Sequence, residues 1–267
     1  MYKIFDIHTH IYPEAIAERA VDNLNHFYNF ICEAKGTLPD IAASSKNANV
    51  LGCLLLGVAT NLKQVDHVNQ YLAKACKDYT TEKFKMLAFG CVHQDCPDMP
   101  ALVDEVEALG LKGFKIHPDI QGVNIDDKRL MPLYEAIEGR MPIYFHIGDD
   151  RDEYQFSATE RLIRIKKQFP KLTVVAAHLG GYRAWDKSYK LAELDGVWFD
   201  SSSALWAITP EYATNVIHEL GTDRVMFGTD YPVAYATSEL ERFFALGLNE
   251  QERKAILYDN AANFLGL

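Results

Sequence analysis

The chain has 267 residues, 48% hydrophobic and 24% charged, which is enough apolar mass for one large globular unit with a substantial core. Its formal net charge of −10 argues against a general affinity for nucleic acid, and five cysteines without a Cys-x-x-Cys pair fit reduced thiols in a cytoplasmic setting better than a disulfide framework or a zinc finger. The N-terminus lacks the basic and apolar segments of a secretory signal, and no apolar run approaches the roughly 20 residues of a membrane span.

Short β-branched or aromatic runs alternate with longer stretches of helical periodicity. The first run is "YKIFDIHTH" (2–10), where strand alternation places Asp6, His8 and His10 on one face. Residues 11–48 break the pattern. They read as an insertion after strand one, helical through "PEAIAERAVDNLNHFYNFICEA" and then polar and loop-like through "ASSKNAN". Such an insertion is expected over the mouth of the fold as a lid or as the contact of a homo-oligomer, with Tyr12 at its start as a candidate pocket residue.

The alternation then resumes with "NVLGCLLLGVAT" (49–60), "FKMLAFGCVHQ" (84–94), "LKGFKIHP" (111–118), "MPIYFHIG" (141–148), "LTVVAAHLG" (172–180), "GVWFDSSS" (196–203) and "RVMFGTDYP" (224–232). Helical stretches lie between them at 62–79, 99–110, 128–140, 157–170 and 209–221, and 238–267 reads as two further helices. Pro132 belongs in a first turn, and Ser157 with Glu160 has the spacing of a capping box. Eight strand–helix alternations fit an α/β fold, a (β/α)8 TIM barrel built as a single domain over residues 1–267; an open doubly wound sheet is the alternative.

Polar groups recur at the carboxyl ends of these runs: His8 and His10 on strand one, Lys115 and His117 on strand four, His146 on strand five, His178 on strand six and Asp230 on strand eight. Each alone is an ordinary strand-end residue. In a closed barrel these ends converge where barrel enzymes place their chemistry. Imidazole nitrogen with carboxylate oxygen suits Zn²⁺ first, and also Mn²⁺, Fe²⁺ or Co²⁺.

With "FDIHTH", "GFKIHP", "FHIG", "AHLGG", "GTDYP" and the terminal "NAANFLGL", the sequence resembles the amidohydrolase superfamily over nearly its whole length. The branch it resembles is amidohydrolase family 2, which includes aminocarboxymuconate-semialdehyde decarboxylase-like proteins. The resemblance implies one divalent ion, zinc by expectation, on His8, His10, His146 and Asp230, with His178 free as general base or electrostatic partner and Asp230 shuttling a proton. In other branches a strand-four lysine is carboxylated and bridges two metals; for this chain that is the alternative to an unmodified Lys115 that binds a substrate carboxylate or pairs with Asp6. His117 is expected to face substrate or to be structural, Asp200 to support a metal-bound histidine, and His67, His93 and His218 to be surface or packing residues.

The leading expectation is a hydrolase that activates a metal-bound water to cleave a C–N or C–O bond in a small carboxylate-bearing amide, lactone or ester. The alternative is a non-oxidative decarboxylase of an aromatic or unsaturated acid on the same metal site. Metal-dependent deoxyribonucleases also open with His-x-His but carry a strand-four glutamate where this chain has Lys115. The expected partner is therefore a small molecule rather than nucleic acid or membrane.

Overall fold

A computed structural model describes residues 2–267. Eight parallel strands follow one another around a ring in chain order: β1 (Phe5–Thr9), β2 (Gly52–Leu56), β3 (Lys85–Cys91), β4 (Phe114–Ile116), β5 (Ile143–Phe145), β6 (Val174–Ala176), β7 (Val197–Asp200) and β8 (Val225–Met226). The ring closes between its first and last strands. Ile7 N–H donates to Phe227 O (2.9 Å), His10 N–H to Tyr231 O (2.6 Å), and Thr9 pairs with Tyr231 in parallel. This is the expected (β/α)8 barrel, not the open sheet.

The strands are buried on both faces, which is why their sequences are continuously apolar. Phe5, Ile7, Leu54, Phe89, Tyr144 and Met226 fill the barrel interior. A second, larger apolar layer lies between the strands and the outer helices. The C-terminal segment, helical over Glu250–Lys254 and Asn260–Leu265 with a π-turn at Ala255–Asp259 between, packs Phe264 against Phe89 and Trp198 and plugs the barrel floor. No helix among the described residues is long and apolar enough to cross a membrane.

The strands are shorter than the apolar runs. The run 224–232 yields Val225–Met226 alone, because the residues after it leave the ladder to carry polar groups into the barrel mouth. Two local expectations are corrected. "ASSKNAN" is not a loop: α2 (Leu38–Asn47) runs through most of it and buries Ile41, Ser44 and Ser45. Its small side chains hide a helix that polarity alone made look irregular. Nor does Ser157 cap a helix. The helix is Thr159–Gln168 with Ala158 at its N-cap, and the Ser157 hydroxyl donates to the Asp119 carboxylate instead, a tertiary partner that outcompetes the local one. Pro132 does sit in the first turn of Met131–Ile137.

Candidate metal centre and active site

Two strand ends meet at His8. Asp6 accepts from His8 N–H (3.2 Å), Thr229 N–H (3.0 Å) and Thr229 Oγ (2.7 Å), tying β1 to the segment after β8. Asp6 is thereby committed to the scaffold and does not pair with Lys115; burial pushes its carboxyl up to about 7. Gly228 lies against His8, and a Cβ there would meet the His8 Cβ at 2.9 Å, so only glycine permits this approach.

Hydrogen bonds fix which nitrogen each imidazole offers. His8 Nδ1–H donates to Asp200 Oδ2 (3.2 Å) and faces Ser202 Oγ (2.9 Å), leaving Nε2 for the site. His10 Nδ1–H donates to Leu56 O (2.8 Å), again leaving Nε2. The two Nε2 atoms are 3.2 Å apart, and Asp230 Oδ1 lies 3.3 Å from the first and 3.4 Å from the second. A tetrahedral shell with metal–ligand bonds of about 2.0–2.1 Å has edges of roughly 3.3–3.4 Å. The triangle therefore fits three corners of such a shell. Asp230 Oδ2 accepts from Ser203 Oγ (2.7 Å), which orients the carboxylate.

His178 joins from β6. Its Nδ1–H donates to Ser202 O (3.0 Å), and its Nε2 lies 2.9 Å from His146 Nδ1. His146 Nε2–H in turn donates to Gly148 O (3.1 Å). Donor atoms of His8, His178 and Asp230 all lie within 4.8 Å of one another. The structure thus gathers all five site residues read from strands one, five, six and eight. Within the cluster His178, expected to be free, stands next to the donor triangle, while His146 touches the cluster through His178.

Ser202 and Asp200 organise this from below. Ser202 Oγ donates to Asp200 Oδ1 and lies 2.9 and 3.1 Å from the Nδ1 atoms of His8 and His178. Asp200 also accepts from Tyr144 OH (2.6 Å) and Ser202 N–H (2.7 Å). Burial opposes its charge, but His8, His178 and these donors hold it well below the usual carboxylate range. Asp200 thus supports a site histidine, as its position on strand seven suggested. Burial, with nearby Lys115, lowers His8 to about 4, and burial also depresses His146 and His178. Neutral imidazoles are the form that binds metal. Asp230 stays ionised: burial works against it, and the surrounding histidines outweigh that.

The backbone is strained where the site is built. His178 (φ 61°), Leu179 (53°), Ser203 (50°) and Asp230 (56°) all occupy the left-handed region without being glycine. Such residues cost about 1–3 kcal/mol each and persist where surroundings over-determine them, commonly at functional sites. Gly148 (φ +83°) holds the β5 and β6 loops together; a Cβ there would meet the backbone of Gly181 and Tyr182 at 2.8 Å.

Lys115 is fully buried on β4 with its Nζ 4.8 Å from the Tyr144 ring centroid. Among the described residues Nζ has no hydrogen-bond partner, and burial lowers it to about 8. His117 stacks on His146 (centroids 4.0 Å apart) and contacts Tyr28. These groups line a cavity of about 560 Å³ at the carboxyl ends of the strands. The insertion covers it, as expected: Tyr12 and, from α1 (Glu14–Tyr28), Leu24, Phe27 and Tyr28 form its apolar wall. Arg151, clamped by Asp149 (2.8 and 2.7 Å), donates to Phe27 O (2.6 Å) and stacks on Tyr154, latching the end of α1. Sequence reasoning missed Tyr28, Arg151, Ser202 and Ser203. The triple serine after "WFD" was a usable signal; Tyr28 and Arg151 gave none. His67, read as a surface or packing residue, lines the cavity mouth, while His218 lies apart, paired with Glu252.

A family model described as Amidohydrolase matches residues 58–267. An uncharacterized TIM-barrel protein from Bordetella bronchiseptica is similar over 99% of this chain and 98% of its own, with a TM-score of 0.79 at 21% identity. A 5-carboxyvanillate decarboxylase from Novosphingobium aromaticivorans, complexed with manganese and 4-hydroxy-3-methoxy-5-nitrobenzoic acid, aligns over 100% of this chain and 96% of its own (TM-score 0.73, 18% identity). A 2,6-dihydroxybenzoate decarboxylase from Rhizobium aligns over 100% and 99% (TM-score 0.73, 16% identity). At these identities the likeness establishes the barrel.

Proposed function

Since this chain belongs to the amidohydrolase family, whose model spans residues 58–267, we propose that it is a metal-dependent decarboxylase of a small aromatic or unsaturated carboxylic acid. The observation that carries this reading is Lys115: a buried, unpartnered amine lining the same cavity as the imidazole–carboxylate cluster. Asp230 and Asp200 act on its charge from a distance and Nζ lies over the Tyr144 ring, but no acceptor satisfies its N–H groups, and an anionic ligand in the cavity would. The aromatic wall of Tyr12, Phe27 and Tyr28 suits a flat, unsaturated body. Decarboxylases among the solved structures of the same fold add to this, and reverse the order in which the sequence alone ranks hydrolysis and decarboxylation.

His8, His10 and Asp230 would hold the cation, with His146 completing the donor set and His178 left beside it; zinc and manganese both suit these ligands. Bound there, it would polarise a substrate oxygen and stabilise the charge that develops as the carboxyl group departs. Lys115 orients the acid. The apolar wall excludes water, which strengthens these interactions. Loss of CO₂ leaves an electron pair on carbon, and one proton must replace it. We assign that step to His178: its Nε2, which carries a lone pair in the resting site, would take up a proton from solvent and pass it to the carbon, with Asp230 as the second carrier.

Hydrolysis of a carboxylate-bearing amide, lactone or ester is the second reading, favoured by the His146–His178 contact, which could relay a proton from water. The deciding experiment is incubation of metal-loaded protein with hydroxylated benzoates, unsaturated acids, lactones and amides. Stoichiometric CO₂ with loss of the substrate carboxyl supports decarboxylation. A new carboxyl group without CO₂ assigns hydrolysis instead.

A further inference from the structure

His117 caps the short turn Pro118–Gln121, where its Nδ1 accepts the Ile120 backbone N–H at 3.3 Å. An accepting Nδ1 carries a lone pair, so the single ring proton of this histidine is on Nε2. That Nε2 lies 2.6 Å from Tyr28 Oη. The bond therefore runs from the imidazole to the phenol, and His117 leaves the phenolic proton of Tyr28 unused. Both residues line the cavity. Tyr28 is at the last position of α1, and its ring lies 6.1 Å from His146 and 5.4 Å from Tyr182.

We infer that Tyr28 is a specificity-determining residue: its O–H donates a hydrogen bond to a substrate oxygen outside the reacting carboxylate, and His117 is the positioning residue that leaves that proton free. The ligand class this selects is an acid with a hydroxyl or other oxygen substituent on its unsaturated body, in preference to the unsubstituted acid. The inference rests on the proposed aromatic-acid reading for its ligand, but the direction of the His117–Tyr28 bond stands on geometry alone.

Two measurements test it. The first is calorimetric titration of manganese-loaded protein with benzoate, 3-hydroxybenzoate and 4-hydroxybenzoate. A single neutral hydrogen bond predicts that wild type binds one hydroxybenzoate about three- to tenfold tighter than benzoate. Tyr28→Phe should erase that preference, bringing the ratio of hydroxybenzoate to benzoate affinity to about one. His117→Asn, whose shorter amide can still cap the turn, should weaken the preference in the same direction. An undiminished preference in Tyr28→Phe overturns the assignment. The second is nitrogen NMR of the histidine rings, with His117→Asn identifying the resonances. A protonated Nε2 and unprotonated Nδ1 are expected, and a proton on Nδ1 overturns the inference. Should none of the three acids bind wild type, the aromatic-acid reading fails, and the ring nitrogens still decide whether Tyr28 has a proton to give.

Discussion

His146 Nδ1 lies 2.9 Å from His178 Nε2, while the opposite nitrogen of each ring donates to a backbone carbonyl, Gly148 O for one and Ser202 O for the other. Both lone pairs are therefore directed at one point. Such an arrangement is stable when a proton or a cation is shared there. It makes the two histidines a coupled unit, and their substitution should expose different failures.

His178→Asn should retain the metal and lose activity by about 10²–10⁴-fold, the usual contribution of a positioned proton carrier. Metal content by plasma mass spectrometry together with turnover checks this. A metal-replete His178→Asn with full activity would remove His178 from catalysis, and loss of the metal would make it a ligand.

Asp200→Asn should weaken metal binding by about 10–100-fold, since it removes the charged acceptor of His8 Nδ1–H and leaves the ligand ring without its anchor. Asp230→Asn acts on the donor itself and should weaken it further. Competition with a chelator gives both affinities.

Lys115→Met should raise Tm by a few degrees in substrate-free protein, because it removes an unpartnered buried amine whose retention costs about 1–3 kcal/mol. The same change should raise KM for a carboxylate substrate. Titration of metal against chain settles the carboxylated alternative: two ions per chain would assign Lys115 as a bridge, and one ion supports the free amine.

Glu239 supplies a pH signature outside the imidazole–carboxylate cluster. It is buried on the helix Ala236–Phe244, pairs with Arg242 Nη1 at 2.8 Å and is pushed by burial up to about 8. The folded protein holds this proton over a range where the unfolded chain, with a carboxyl near 4.5, releases it. Stability contributed below that value is therefore lost as pH rises toward 8, at a limiting slope of about 1.4 kcal/mol per pH unit. Below about pH 6.5 the depressed buried histidines oppose this trend, because the unfolded chain holds protons that they do not; above it, thermal melts of wild type should fall toward pH 8, and Glu239→Gln should flatten the decline. An identical slope in the two proteins refutes the assignment.

The barrel and its imidazole–carboxylate cluster were legible because their signals are periodic. Eight apolar runs mark strands buried on both faces, and a polar residue at a run's end has one place to go when the ring closes. His8, His10, His146, His178 and Asp230 could be read that way. The roles within the cluster could not, because the tautomers depend on Leu56 O, Gly148 O and Ser202 O, backbone atoms that sequence does not place. Ser157 misled for the same reason, since a capping pattern carries no information about Asp119 arriving from another loop. Tyr28 was invisible because its importance comes from where α1 crosses the mouth, and Arg151 because its partners beyond the neighbouring Asp149 are a carbonyl and three rings.

The plugged barrel floor has a kinetic consequence. With Phe264 seated against Phe89 and Trp198, the floor is filled, and the cavity lies at the opposite end under the insertion. The Arg151 contacts to Phe27 O and Asp149 hold the end of α1, whose Leu24, Phe27 and Tyr28 wall that cavity. Loosening that latch should therefore speed departure of product while exposing the chamber to solvent.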